Sequence, residues 1–142
     1  MSPSKRILST VILFTLLLSN PQICNAGEVS DSLINRLLPA LARVESKNNP
    51  KAVGDNGKAI GIYQIHRCYW QDAVEFDKSI GGRYEDCFDP HYAERVVRAY
   101  LRRYGTSDST LEQLARIHNG GPDGHKESAT LKYWKKVKRE LK

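Results

Sequence analysis

The chain has 142 residues, a formal net charge of +6 and a hydrophobic content of 40%. This length favours one domain around one core and argues against a multidomain protein, and the chain has no internal repeats or low-complexity segments. The positive charge suits an anionic partner such as a cell wall, a membrane surface or a nucleic acid, and does not choose between them.

Residues 1–26 are predicted to be a cleaved secretion signal. Basic residues precede a short apolar run over residues 7–18, which is too short to span a bilayer by itself. Cleavage after Ala26 would leave residues 27–142 as the domain, secreted or, in a Gram-negative bacterium, periplasmic. The alternative is an uncleaved N-terminal anchor.

The first helix of the domain is predicted to begin at Asp31, a residue type that caps helices. Pro39 interrupts its pattern, so we expect either a kink or a second helix with this proline in its first turn. In both cases Glu45 lies near a helix C-terminus, because Asn48-Asn49-Pro50 ends the helix. The apolar stripe consists of Leu33, Ile34, Leu37, Leu38 and Leu41.

Residues 50–62 are predicted to form a loop, with short strand pairing around the turn sequence Asp55-Asn56-Gly57. The clearest helix follows Asp89, which caps it, starts with Pro90 and stops at Gly105.

Two further helices are expected towards the C-terminus. Ser109 and Glu112 form the pattern of a capping box for the first of them, which ends in the segment "HNGGP". The last helix is basic on its outer face and is marked by Leu131, Trp134, Val137 and Leu141. These elements predict an α+β domain that is mostly α.

Cys68 and Cys87 are the cysteines of the predicted mature chain. In an oxidising compartment an isolated pair usually bonds, and closing a loop of this size contributes roughly 3 kcal/mol in the chain-entropy model. We therefore predict a disulfide. The alternative, a catalytic cysteine, has only His66 nearby to support it.

Glu45 and Asp55 could act as a catalytic pair. Hydrolysis of a glycosidic bond needs an acid that keeps its proton and usually a second carboxylate that stays ionised. A helix C-terminus and apolar neighbours would favour the protonated form of Glu45, whereas Asp55 lies in a polar turn. The alternative is that both are surface charges beside a loop.

Two blocks of sequence resemble a known family. The segment "ARVES…NPKAVGDNGKAIGIYQI" is similar to a region shared by the lysozyme superfamily, which includes lytic transglycosylases. The segments "YQIHRCYWQD" and "LARIHNGGPDGHKESATLKYW" resemble invertebrate-type (destabilase) lysozymes more narrowly. The resemblance covers about residues 33–138.

This resemblance implies a lysozyme-like fold with a small irregular or hairpin region beside the catalytic helix. It implies a muramidase that cleaves the β-1,4 bond of peptidoglycan between N-acetylmuramic acid and N-acetylglucosamine. Glu45 matches the general acid, and Asp55 matches the nucleophile or electrostatic stabiliser. The matched substrate-binding residues are Tyr63, Gln64, Ile65, Tyr69, Trp70, His118, Asn119 and Gly120.

The sequence also departs from this family. The chain has few cysteines for an invertebrate-type lysozyme, and His125 stands where a cysteine is expected. Lys58 and Ile60 replace serines, which puts an isopeptidase activity in doubt. Lytic transglycosylase activity, with Glu45 acting alone, and a non-catalytic wall-binding or antimicrobial role remain alternatives.

Several side chains have a structural and a functional interpretation. Trp70 could stack on a sugar or belong to the core, as could Trp134. His118 could donate to a substrate hydroxyl or cap a helix. The basic final helix could touch phosphates or simply face solvent, and no nucleic-acid motif accompanies it. The histidines lack zinc-ligand spacing, so we expect no metal or cofactor. We also expect the protein to be a monomer.

Overall fold

A computed structural model describes residues 27–141. The predicted signal, residues 1–26, and Cys24 within it lie outside the described residues. Among the residues described, no helix is both long and apolar enough to cross a membrane.

Helix α1 spans Asp31–Ser46 without a break at Pro39. Its buried stripe packs against the last two helices of the chain, and this packing holds the helix together although the proline cannot donate a backbone hydrogen bond. The predicted cap at Asp31 was wrong by one residue, because Ser30 accepts the hydrogen bond from the Leu33 amide. Asp31 instead pairs with Arg102.

A small antiparallel sheet follows α1, with strand order β1-β2-β3. It consists of β1 (Val53–Gly54), β2 (Ala59–Ile60) and β3 (Ile65–His66). The predicted pairing around Asp55-Asn56-Gly57 is confirmed, since this turn joins β1 to β2. Strand β3 was not predicted, and its pairing of His66 with Ala59 brings His66 to the same end of the sheet as the turn.

The remaining helices are α2 (Arg67–Phe76), α3 (Pro90–Tyr104), α4 (Leu111–Gly120) and α5 (Leu131–Glu140). Helix α3 has the predicted Asp89 cap and ends before Gly105. The predicted capping box of α4 was wrong by one residue, because Thr110 and Gln113 form it. The Ser109 hydroxyl is occupied by the Thr106 amide, and Glu112 pairs with Arg116.

The core lies where α1 packs against α4 and α5 and where α2 packs against α3. Tyr133 and Val137 are the buried residues of α5. Of the residues that marked this helix in the sequence, Leu131 is exposed and Trp134 is partly buried. The architecture is mostly α with one small sheet, as the sequence predicted.

The structure does not show the predicted disulfide. Cys68 and Cys87 are free thiols, and the two side chains have opposite environments: Cys68 is exposed on α2, whereas Cys87 is fully buried in the core. Burial raises the pKa of the Cys87 thiol to about 12, so this side chain behaves as a small apolar core residue.

Candidate active site

A cleft of about 250 Å³ opens between the end of α1, the small sheet and helices α2 and α4. The residues that line it are Glu45, Asp55, Ala59, Gln64, His66, Tyr69, His118 and Asn119. The fold therefore brings the two predicted carboxylates together with four of the predicted substrate-binding residues.

Glu45 lies in the last turn of α1, and its side chain is 18% exposed. The helix ends one residue later because Lys47 takes a left-handed conformation and its amide closes the last turn. The Tyr133 hydroxyl donates a hydrogen bond of 2.6 Å to Glu45 Oε1. The Nε2 atom of His118 lies 3.4 Å from the same oxygen. Two side chains from different helices, Tyr133 and His118, therefore approach the same oxygen of Glu45.

His118 connects Glu45 to a second tyrosine. The hydroxyl of Tyr69 lies 2.9 Å from His118 Nδ1, and the Tyr69 ring stacks on Tyr100 with the ring centroids 3.5 Å apart. Burial, and then the neighbouring Tyr100 hydroxyl and the Glu45 carboxylate, raise the pKa of Tyr69 well above its usual value. Burial, followed by Glu45, likewise raises the pKa of Tyr133. Both hydroxyls therefore keep their protons.

Asp55, which lines the same cleft, has a different environment. It begins the β1–β2 turn, and its side chain is 57% exposed. Asp55 and Asn56 both have positive φ angles, of 47° and 52°, which Asp and Asn tolerate better than most residues. His66 Nε2 lies 3.3 Å from Asp55 Oδ2. This carboxylate is thus exposed to solvent and lies beside one ionisable side chain, that of His66.

Gln64 forms the floor of the cleft and fixes the local backbone. Its side-chain amide donates to the Gly61 carbonyl at 2.9 Å and to the Ala52 carbonyl at 3.3 Å. A Cβ atom on Gly54 would lie 2.2 Å from Gln64 Oε1, so only glycine fits there without movement. Gln64 therefore holds the sheet and its turn against the loop that precedes them.

The other predicted binding residues do not line the cleft. Tyr63 and Ile65 are buried in the core, and burial raises the pKa of Tyr63 to about 12. Trp70 packs against the core and donates to the Tyr92 hydroxyl at 2.9 Å, which favours its core interpretation. Gly120 is exposed and packs beside Thr130, where a Cβ atom would meet a methyl group at 2.6 Å.

Sequence reasoning missed the roles of Tyr133 and His66. Tyr133 belongs to the segment "LKYW", which carried a family resemblance, but its 88-residue separation from Glu45 hid the contact. His66 follows Ile65 directly, and the third strand that brings it to Asp55 was not predicted. No group of three or more potential metal ligands comes together within residues 27–141.

Comparisons with known proteins agree on one family. The family model described as Destabilase matches residues 35–140. Lysozyme 1 of Crassostrea virginica is 36% identical over 125 residues, which cover 82% of this chain and 65% of that protein. The lysozyme of Ostrea edulis is 33% identical over 119 residues, covering 79% of this chain and 84% of that protein. The chain thus spans a little under two thirds of the Crassostrea protein.

Solved structures give the same result. The Tapes japonica lysozyme has a TM-score of 0.62 and 30% identity, covering 78% of this chain and 89% of that one. The Meretrix lusoria lysozyme, solved in complex with Aeromonas hydrophila PliI, has the same TM-score and 27% identity, with the same coverage of both chains. The lysozyme-like fold expected from the sequence is confirmed.

Proposed function

The chain belongs to the destabilase family, and we propose that it is a lysozyme that hydrolyses the β-1,4 bond of peptidoglycan between N-acetylmuramic acid and N-acetylglucosamine. The relatives that match most of the chain are named lysozymes, which supports a glycoside hydrolase.

The observation that carries the proposal is the contrast between two carboxylates in one cleft. Glu45 is 18% exposed and anchored by a buried tyrosine, whereas Asp55 is 57% exposed in a polar turn. A shielded acid in the same cleft as a solvent-exposed carboxylate is the combination that glycoside hydrolysis uses, and lysozymes are its standard example. The partner molecule on this proposal is the glycan of the bacterial wall.

The reaction uses these two groups in turn. Glu45 gives its proton to the glycosidic oxygen, and the bond from that oxygen to the anomeric carbon breaks. Asp55 attacks or stabilises the positively charged anomeric carbon on the opposite face of the sugar. Glu45 then takes a proton from water, whose oxygen bonds to the anomeric carbon, displaces Asp55 from that carbon if a covalent bond has formed, and restores the original configuration. Such a retaining pair works with its carboxyl groups roughly 5–5.5 Å apart.

Product analysis tests this function directly. The protein is incubated with purified, unlabelled peptidoglycan, and the soluble fragments are analysed by mass spectrometry. Fragments that end in reducing N-acetylmuramic acid support the hydrolase. Fragments that end in 1,6-anhydro sugar would replace it with a lytic transglycosylase, in which the substrate's own hydroxyl does the work assigned to Asp55. Wall binding without any released fragment would indicate a non-catalytic protein.

The location follows from the same proposal. A wall glycan lies outside the cytoplasmic membrane, so we propose that residues 1–26 direct secretion and are removed after Ala26. N-terminal sequencing of the protein recovered from the medium or the periplasm checks this cleavage site.

A further inference from the structure

Tyr69, His118 and Tyr133 surround the Glu45 carboxylate and determine which hydrogens point at it. Tyr69 touches His118 on one ring nitrogen, and the other ring nitrogen faces Glu45. Tyr133 touches Glu45 directly. All three side chains come from helices other than α1, so α2, α4 and α5 each contribute one residue to the surroundings of this carboxylate.

The hydrogen bonds around His118 are compatible with one neutral tautomer. The Tyr69 hydroxyl is buried, keeps its proton and, within residues 27–141, has His118 Nδ1 as its hydrogen-bond partner. If Nδ1 carried the ring proton, the Tyr69 hydrogen would have no acceptor, which is costly in a buried site. The unprotonated Nε2 lone pair would then also face the Glu45 carboxylate. Both problems disappear when Tyr69 donates to Nδ1 and the proton lies on Nε2.

We propose that Tyr69 holds His118 as the Nε2–H tautomer, so that His118 and Tyr133 both direct a hydrogen towards Glu45 Oε1 and leave Oε2 to carry the transferred proton. Tyr69, His118 and Tyr133 are then positioning residues. Within the part of the chain that the structure describes, no donor binds Oε2, which agrees with Oε1 accepting the hydrogen bonds and Oε2 carrying the proton. The role given to Oε2 rests on the proposed function, whereas the tautomer does not.

The first test is independent of catalysis. The protein is labelled with ¹⁵N-histidine, and long-range ¹⁵N–¹H spectra assign the proton of each ring; the signals of His118 are identified by their loss in His118→Asn. We expect Nε2–H for His118 in the wild type and a mixed or Nδ1–H ring in Tyr69→Phe. An Nδ1–H or doubly protonated ring in the wild type near neutral pH would overturn the proposal, and so would an unchanged Nε2–H ring in Tyr69→Phe.

The second test uses kinetics. Removing the Tyr133 hydroxyl takes away a hydrogen bond to a charged group, and we expect kcat/KM to fall about tenfold to a hundredfold in Tyr133→Phe, mostly in kcat. The bond holds the carboxylate that delivers the proton, so its loss should lower kcat while KM stays close to the wild-type value. An unchanged kcat in Tyr133→Phe would contradict the positioning role.

Tyr104→Phe serves as the control. Tyr104 donates a hydrogen bond of 2.9 Å to Asp72, so this variant removes the same kind of bond at a position away from Glu45. We expect it to leave kcat close to the wild-type value. A kcat that falls equally in Tyr104→Phe would assign the effect to general loosening of the fold. If the wild type releases no fragments from peptidoglycan, the proposed function fails while the tautomer measurement still decides this inference.

Discussion

Asp55→Asn separates the hydrolase from its nearest alternative. The substitution removes the negative charge and keeps the shape of the side chain. Asn tolerates the left-handed backbone that Asp55 adopts, with φ of 47°, so the turn should survive. The contact that is lost, between Asp55 and His66, is exposed on both sides at 57% and 43%, and even a charged pair at such an exposed position contributes only about 0–1 kcal/mol to stability.

The expected loss of activity is much larger than that loss of stability. Removing a carboxylate that carries the charge of the transition state should lower the rate at least about a hundredfold, which corresponds to roughly 2.7 kcal/mol. The assay is the initial rate of clearing of a bacterial wall suspension, measured beside the urea unfolding midpoint of each protein. The matched control is Asp108→Asn, which makes the same change at an exposed position outside the cleft.

Retention of more than about a tenth of the activity, a loss of roughly 1.4 kcal/mol or less, would refute the reasoning. Asp55 would then be only a turn residue, and the products of the variant should be examined for 1,6-anhydro ends. A low rate together with a strongly reduced unfolding midpoint would also contradict the argument, because that argument predicts an intact fold.

Two further predictions concern the fold. With residues 1–26 removed, a thiol reagent should titrate Cys68 in the native protein and Cys87 only after unfolding, because burial raises the pKa of Cys87 to about 12; finding no titratable thiol in the unfolded, unreduced protein would restore the disulfide. Gly61→Ala should lower the free energy of unfolding by about 1–3 kcal/mol, and by more than Gly57→Ala does. Both glycines have positive φ, but only a Cβ atom on Gly61 would collide with the Cys87 carbonyl oxygen, at 2.1 Å. Equal urea midpoints for the two variants would count against this.

The features predicted correctly from sequence are those with strong local signals. Helix α3 carries a capping Asp89, a proline in its first turn and a glycine at its end, and all three act within a few residues of the helix. The position of Glu45 at a helix end and of Asp55 in a turn depends on equally local signals. The family resemblance then supplied the expectation that the two act together as general acid and second carboxylate.

The predictions that differ from the structure involve two residues that could both cap one helix, or contacts between residues far apart in the sequence. Ser30 and Asp31 can both cap α1, and the choice is decided by Arg102, which lies far along the chain and takes Asp31 as a partner. The contact between Tyr133 and Glu45 joins residues 88 positions apart, so it cannot be predicted from local periodicity or motif spacing. The disulfide was expected from the presence of one isolated cysteine pair, whereas packing places Cys87 in the core and Cys68 on the surface.

The central claim is that Glu45 is the acid of a glycoside hydrolase. The most direct measurement compares the initial rate of release of reducing ends from purified peptidoglycan for the wild type, Glu45→Gln and Glu75→Gln. Glu75 is exposed and pairs with Arg103, outside the cleft, so it controls for the loss of a glutamate charge.

General acid catalysis contributes typically 10²–10⁴-fold, so we expect the rate of Glu45→Gln to fall at least about a hundredfold while Glu75→Gln stays close to the wild type. A Glu45→Gln protein that keeps its fold and releases reducing ends at the wild-type rate would contradict the claim.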